Sequence, residues 1–146
     1  MTLVTTMTNI NNYTPQLSGP HRRFVSSENR CTHIVENPNG KYVRQFKVDG
    51  DVFPSGGNGQ KRCDYLILND TDADAYYIEL KGSDVRRAIQ QVESSIAEIN
   101  PSIGYEIHSR IIYRTLTQEV KSAEVLWWKR KQNDAVIVST QYTDRL

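Results

Sequence analysis

The sequence predicts an α/β domain with a central mixed sheet of four to five strands flanked by helices, its elements ordered αβββαβαβ. Three observations carry that reading. Two short runs rich in aromatic and β-branched residues, 64–68 and 75–80, sit on either side of an acidic turn, as the strands of a hairpin do. Directly after them Val85, Ala88, Ile89, Val92, Ile96 and Ile99 fall on one narrow stripe of a helix over 84–100. Beyond Pro101, which ends that helix, apolar and polar residues alternate from Tyr105 to Tyr113 with the period of a strand.

Taken in order, residues 1–20 are Thr- and Asn-rich, carry no charged side chain and end in Leu-Ser-Gly-Pro, which predicts an arm that is flexible or docks on a partner. Residues 21–146 are then one domain. Ser26-Ser27-Glu28 predicts a short helix through about Val35, with a Ser N-cap and an acidic first turn, stopped by Asn37-Pro38-Asn39-Gly40. Residues 41–48 mix apolar and basic side chains and read as a first strand. The stretch 49–60, with Gly56, Gly57 and Gly59, predicts a loop, and it lacks the Gly-Lys-Ser/Thr ending of a phosphate-binding P-loop. After the hairpin, the helix and the strand 105–113, Leu116, Val120, Ala123 and Trp127 follow at helical spacing. Residues 135–139 make a last strand.

At 146 residues the chain is long enough to build one core, and 38% hydrophobic with 24% charged residues is ordinary for a globular domain. The longest apolar runs are a few residues, and no Lys or Arg precedes His21, so neither a membrane span nor a secretory signal is expected and cytoplasmic residence is the default. Cys31 and Cys63 lie far apart without a CxxC and are expected to be reduced thiols. A formal net charge of +1 does not by itself mark a nucleic-acid binder, so any phosphate affinity has to come from local clustering.

The chemistry concentrates between Arg62 and Gln91. Glu79 and Lys81 are two apart on a strand, so both side chains leave the same face of the sheet. The hairpin through Asn69–Asp74 brings Asp64, at the start of the preceding strand, beside Glu79. Two carboxylates can then share one hard cation. Mg²⁺ takes about six oxygen ligands and keeps several waters, so two carboxylates and the carbonyl of Leu80 leave room for a phosphate and a water. Lys81 stands beside that water.

Asp64, Glu79-Leu80-Lys81 and the helix from Asp84 resemble the signature of the PD-(D/E)XK nuclease superfamily: an Asp early in one strand, Glu-X-Lys in the next, then a helix. Cys63 stands where the family name has Pro. The resemblance covers roughly 26–139 in element order and about thirty residues in motif. It implies a restriction-endonuclease-like αβββαβ core and a Mg²⁺-dependent nuclease, with Mn²⁺ able to substitute. Asp64 and Glu79 would bind the metal with the Leu80 carbonyl, and Lys81 would orient water. Some members carry a Gln in the following helix before an apolar residue, which Gln91 before Val92 matches, with Gln90 as competitor. Members often add an acidic residue from a helix upstream, here Glu28 or Glu36, with Glu28 favoured.

Arg87 beside the helix stripe, Arg110 and Arg114 on a basic strand face with His108, and Lys129 after Trp127-Trp128 are the expected nucleic-acid contacts. The expected partner is nucleic acid, DNA in the first instance, with a homodimer or larger complex supplying target choice and no membrane involved. A catalytically silent module of the same fold, binding nucleic acid or a partner protein, is the alternative.

Other sites lose support. Asp70, Asp72 and Asp74 open like an EF-hand loop, but Ala75 stands at the position needing Gly and Lys81 where a bidentate Glu belongs. Cys31, His33 and Cys63 lack zinc-site spacing and a fourth ligand. His21, His33 and His108 have no accompanying Ser or Cys nucleophile motif.

Overall fold

A computed structural model describes residues 8–53, 62–81, 83–100, 104–114 and 122–146. Its strands are β1 (Thr8–Asn9), β2 (Leu17–Gly19), β3 (Arg23–Glu28), β4 (Cys31–Glu36), β5 (Val43–Lys47), β6 (Tyr65–Asn69), β7 (Asp74–Lys81), β8 (Ile99–Asn100), β9 (Glu106–Tyr113), β10 (Ala135–Ser139) and β11 (Gln141–Arg145). Two α-helices, α1 (Val85–Glu98) and α2 (Ala123–Lys131), a 3₁₀ turn at Ile10–Asn12 and a π-type turn at Val48–Val52 complete the described elements. The expected glycine-rich stretch beyond Phe53, together with Leu116 and Val120, lies largely outside the described residues.

The architecture is α/β around a mixed sheet of six strands, one more than the largest number predicted, in the order β10-β9-β7-β6-β5-β2. Pairing is antiparallel from β2 to β7 and parallel from β7 through β9 to β10. The extra strand is β2. The helices cover one face, where Val85, Ala88 and Val92 of α1 and Val125 and Trp128 of α2 share a core with Leu66, Leu68, Tyr77 and Ile111. The predicted stripe of α1 therefore packs on the sheet, and Asp84 caps the helix by accepting the Arg87 N–H at 3.1 Å.

The opposite face is covered by a second sheet, ordered β11-β4-β3, and not by a helix. The helix predicted from Ser26 is corrected here. Residues 23–36 form the β3–β4 hairpin, in which Glu28 pairs with Cys31 and Arg23 with Glu36. Its two-residue turn places Asn29 and Arg30 at φ 51° and 60°, the left-handed pair that a tight hairpin requires. The β-branched Val25, Thr32, Ile34 and Val35 suit strands better than a helix, and Phe24, Cys31 and Val35 pack against Tyr65, Ile67, Ile78 and Leu80 of the large sheet.

The N-terminal segment is also part of the domain from Thr8 onward. Ile10 is wholly buried in the helix-side core, β2 extends the large sheet, and β1 pairs with β8. Ile10→Val should therefore cost about 0.5–1.5 kcal/mol, read from the denaturant midpoint, whereas a free arm would leave the midpoint unchanged. Among the described residues no helix is long and apolar enough to cross a membrane.

Candidate active site

The β6–β7 register pairs Tyr65 with Ile78, so the residue before β6 lies beside the C-terminal end of β7. There the Asp64 N–H donates to the Ile78 carbonyl at 3.0 Å, and the Asp64 carboxylate accepts the Leu80 N–H at 2.7 Å. Ala75, Tyr77, Glu79 and Lys81 alternate onto the helix side of β7. Asp64 and Glu79 are 7% and 2% exposed, too buried for either to be solvated as a lone anion.

The Asp64 and Glu79 carboxyls lie within hydrogen-bonding reach of each other, and Glu28, from the end of β3, lies within reach of Asp64. Burial raises the affinity of Asp64 for its proton, and the Glu79 charge and the Glu28 hydrogen bond add to that, against the Leu80 N–H. Burial also raises the Glu79 carboxyl, which the bond from Asp64 and the charge of Lys81 oppose. Three acidic side chains thus converge at one buried spot, where burial and mutual repulsion disfavour their charged forms. One Glu79 oxygen, Oε1, is buried without a hydrogen-bond partner.

Of the two acidic candidates upstream, Glu28 reaches this cluster, carried by a hairpin tip. Glu36 sits at the other end of that hairpin, paired with Arg145 at 3.8 Å. Gln91 is buried while Gln90 is exposed. The Gln91 amide donates to the Arg62 carbonyl at 3.1 Å, so it braces the chain entering β6, and its Oε1 has no partner. The Leu80 carbonyl, the expected third ligand, accepts the Asn29 amide at 2.8 Å.

Arg87, in the first turn of α1, and Arg114, following the C-terminal residue of β9, lie at the carboxyl end of the sheet. Both are exposed. Arg110 is corrected. It is 3% exposed and donates to Asp134 at 2.7 Å and to Asp144 at 2.8 Å, so it holds the two sheets together and presents no charge to solvent. His108 lies between Asp74 and Asp134, so on the predicted basic strand face His108 and Arg110 are engaged by carboxylates while Arg114 is exposed. Lys129 is exposed but lines a cleft with Leu126, Arg130, Asp134 and Ala135, toward the Asp134 end of β10. The tryptophan pair divides: Trp128 is core, and Trp127 is exposed with the Lys131 ammonium 4.1 Å from its ring centre.

The sites set aside from the sequence do not assemble. Asp70 pairs with Arg44, Asp72 with Lys41 and Asp74 with His108. Cys31 faces the Lys81 carbonyl, Cys63 the Tyr65 carbonyl and His33 the Asp144 carboxylate. Burial pushes both thiols up, which makes them inert nucleophiles. Two residues at the cluster were not anticipated: Asn29, on the Leu80 carbonyl, and Asp49, whose charge acts on Glu79. No family model, curated protein or solved structure matches this chain.

Proposed function

We propose that the chain is a Mg²⁺-dependent nuclease that hydrolyses phosphodiester bonds in DNA, built on a restriction-endonuclease-like core. The observation that carries the reading is the contact of Asp64, Glu79 and Glu28, two of them nearly fully buried, with an unpartnered Glu79 oxygen. Grouping carboxyls out of water is costly unless a cation neutralises them, and an oxygen-only donor set of this charge suits a hard divalent ion. Asp64, Glu79 and Glu28 would hold it. Bound there, the ion supplies Lewis-acid polarisation of a phosphoryl oxygen and lowers the pKa of water.

The chain's own groups do the rest. Lys81 leaves the same face as Glu79 and is half-exposed, so its ammonium can donate to an attacking water and balance charge on the phosphate. Arg87 and Arg114 flank the cluster and would hold the nucleic-acid backbone. The strand–strand–helix–strand order of β6, β7, α1 and β9, with β9 parallel to β7, supports the fold assignment, whereas the β3–β4 hairpin stands where that fold has its first helix. Lys81→Ala is expected to slow turnover by about 10²-fold while changing Mg²⁺ affinity only a few-fold, measured by single-turnover cleavage beside calorimetric titration. Lost affinity with an unchanged rate would reverse the roles.

One observation favours the catalytically silent module. The Asn29 amide occupies the Leu80 carbonyl that a metal would use. A silent module retards DNA in EDTA and cuts in no divalent ion, whereas the nuclease cuts in Mg²⁺ or Mn²⁺ and stops when chelated.

A further inference from the structure

We propose that Asp74, Glu106 and His108 form a second divalent-metal site, suited to a first-row transition ion such as Zn²⁺, at the end of the sheet opposite Glu79. The parallel register of β7 and β9 pairs Asp74 with Glu106 and Tyr76 with His108, so the three side chains leave one face at adjacent positions. One donor atom from each lies within 4.8 Å of the others. Glu79 lies five positions along β7 from Asp74, roughly 17 Å away, so the two sites cannot share an ion.

The histidine carries the inference. His108 Nδ1 is 2.7 Å from the Asp134 carboxylate, which Arg110 also holds at 2.7 Å. A carboxylate only accepts, so Nδ1 bears hydrogen, and Nε2 is the ring nitrogen that faces Asp74 Oδ1, at 2.9 Å. A divalent ion can replace a proton between Nε2 and the Asp74 carboxylate, with Glu106 as the third donor. A carboxylate behind the far nitrogen is the arrangement that fixes the tautomer of metal-bound histidines. Asn133 repeats the device on the second ligand, its amide donating to Glu106 Oε1 at 2.7 Å, so one turn between α2 and β10 orients both. Stacking on Tyr76, with ring centres 4.5 Å apart, holds the imidazole plane.

One imidazole and two carboxylates are a donor set for Zn²⁺ or Mn²⁺, and three protein ligands leave coordination positions for water. Glu106 is exposed and His108 is 12% exposed on its side chain, so an ion can enter from solvent. On binding, the ion takes the place of any proton on Nε2, which leaves to solvent.

The inference does not rest on the nuclease reading, and the test keeps the two apart. Zn²⁺ alone is titrated by calorimetry into Glu79→Gln protein and into the same protein carrying Glu106→Ala, a change at an exposed position that leaves the core intact. Nitrogen-15 spectra of the three histidine rings accompany both titrations. The expected result is a Zn²⁺ site that survives Glu79→Gln, weakens at least tenfold with Glu106→Ala and moves the His108 Nε2 resonance alone. Equal affinity in the two proteins, or a His108 ring unmoved by Zn²⁺, would overturn it and leave the imidazole as an ion-pair bridge between Asp74 and Asp134.

Discussion

Replacing Glu79 by Gln is expected to lower the rate of phosphodiester cleavage on the order of 10³-fold while leaving the domain folded. The side chain keeps its shape and loses the charge that a divalent ion needs, and metal-ion catalysis is worth several kcal/mol of barrier, at about 1.4 kcal/mol for each tenfold. Stability should move the other way. Glu79 is buried with one oxygen unpartnered, so the neutral amide removes the cost of burying a charge and should raise stability by about 1 kcal/mol, seen as a higher urea midpoint. Gain of stability with loss of rate is the signature of a carboxylate kept for function. A variant that cleaves as fast as the native chain would remove Glu79 from the site.

Arg110→Ala should be the most damaging substitution for folding, costing about 3–5 kcal/mol in thermal or urea denaturation, because it strands two carboxylates that the guanidinium neutralises. Asp144 is the more buried of the two. Burial alone would raise its carboxyl, but the hydrogen bonds from His33 and Arg110 outweigh that and hold it down at about 2, against an ordinary 3.8. A carboxyl depressed in the folded state stabilises above its unfolded pKa, and that contribution is lost as pH falls through the folded value. The native chain should therefore lose about 2 kcal/mol between roughly pH 4 and pH 2 from this group. In Asp144→Asn that part of the acid limb should be flat, with the loss already present at neutral pH. An unchanged acid limb would mean that the interlock between β11 and β9 carries no weight.

What was legible in the sequence was local. The hairpin of β6 and β7 announces itself through two apolar runs and an acidic turn, and a period of two then sets Glu79 and Lys81 on one face with Asp64 opposite. The helix stripe after Asp84 is equally self-contained. Glu28 was legible as a candidate but its element was not, since Ser-Ser-Glu reads as a helix start and the Asn29-Arg30 turn lacks the glycine that usually marks a tight hairpin. Strand β11 was missed because only Tyr142 and Asp144 turn inward along an otherwise polar run, and its partner β4 lies at the other end of the chain. The same distance hid the fate of Arg110 and His108. Their alternation along β9 was readable, but the carboxylates of Asp134 and Asp144 that neutralise them come from later elements. Pairwise long-range contacts of this kind leave no periodic trace.

The most direct test of the metal-dependent nuclease is cleavage of linear duplex, circular plasmid, single-stranded DNA, branched DNA and RNA in Mg²⁺ and in Mn²⁺, with Glu79→Gln run beside the native chain. The native chain is expected to cut at least one DNA substrate, EDTA to stop it, and Glu79→Gln to be inert on the same substrate. Binding without cutting in either ion, or equal cutting by both proteins, would contradict it.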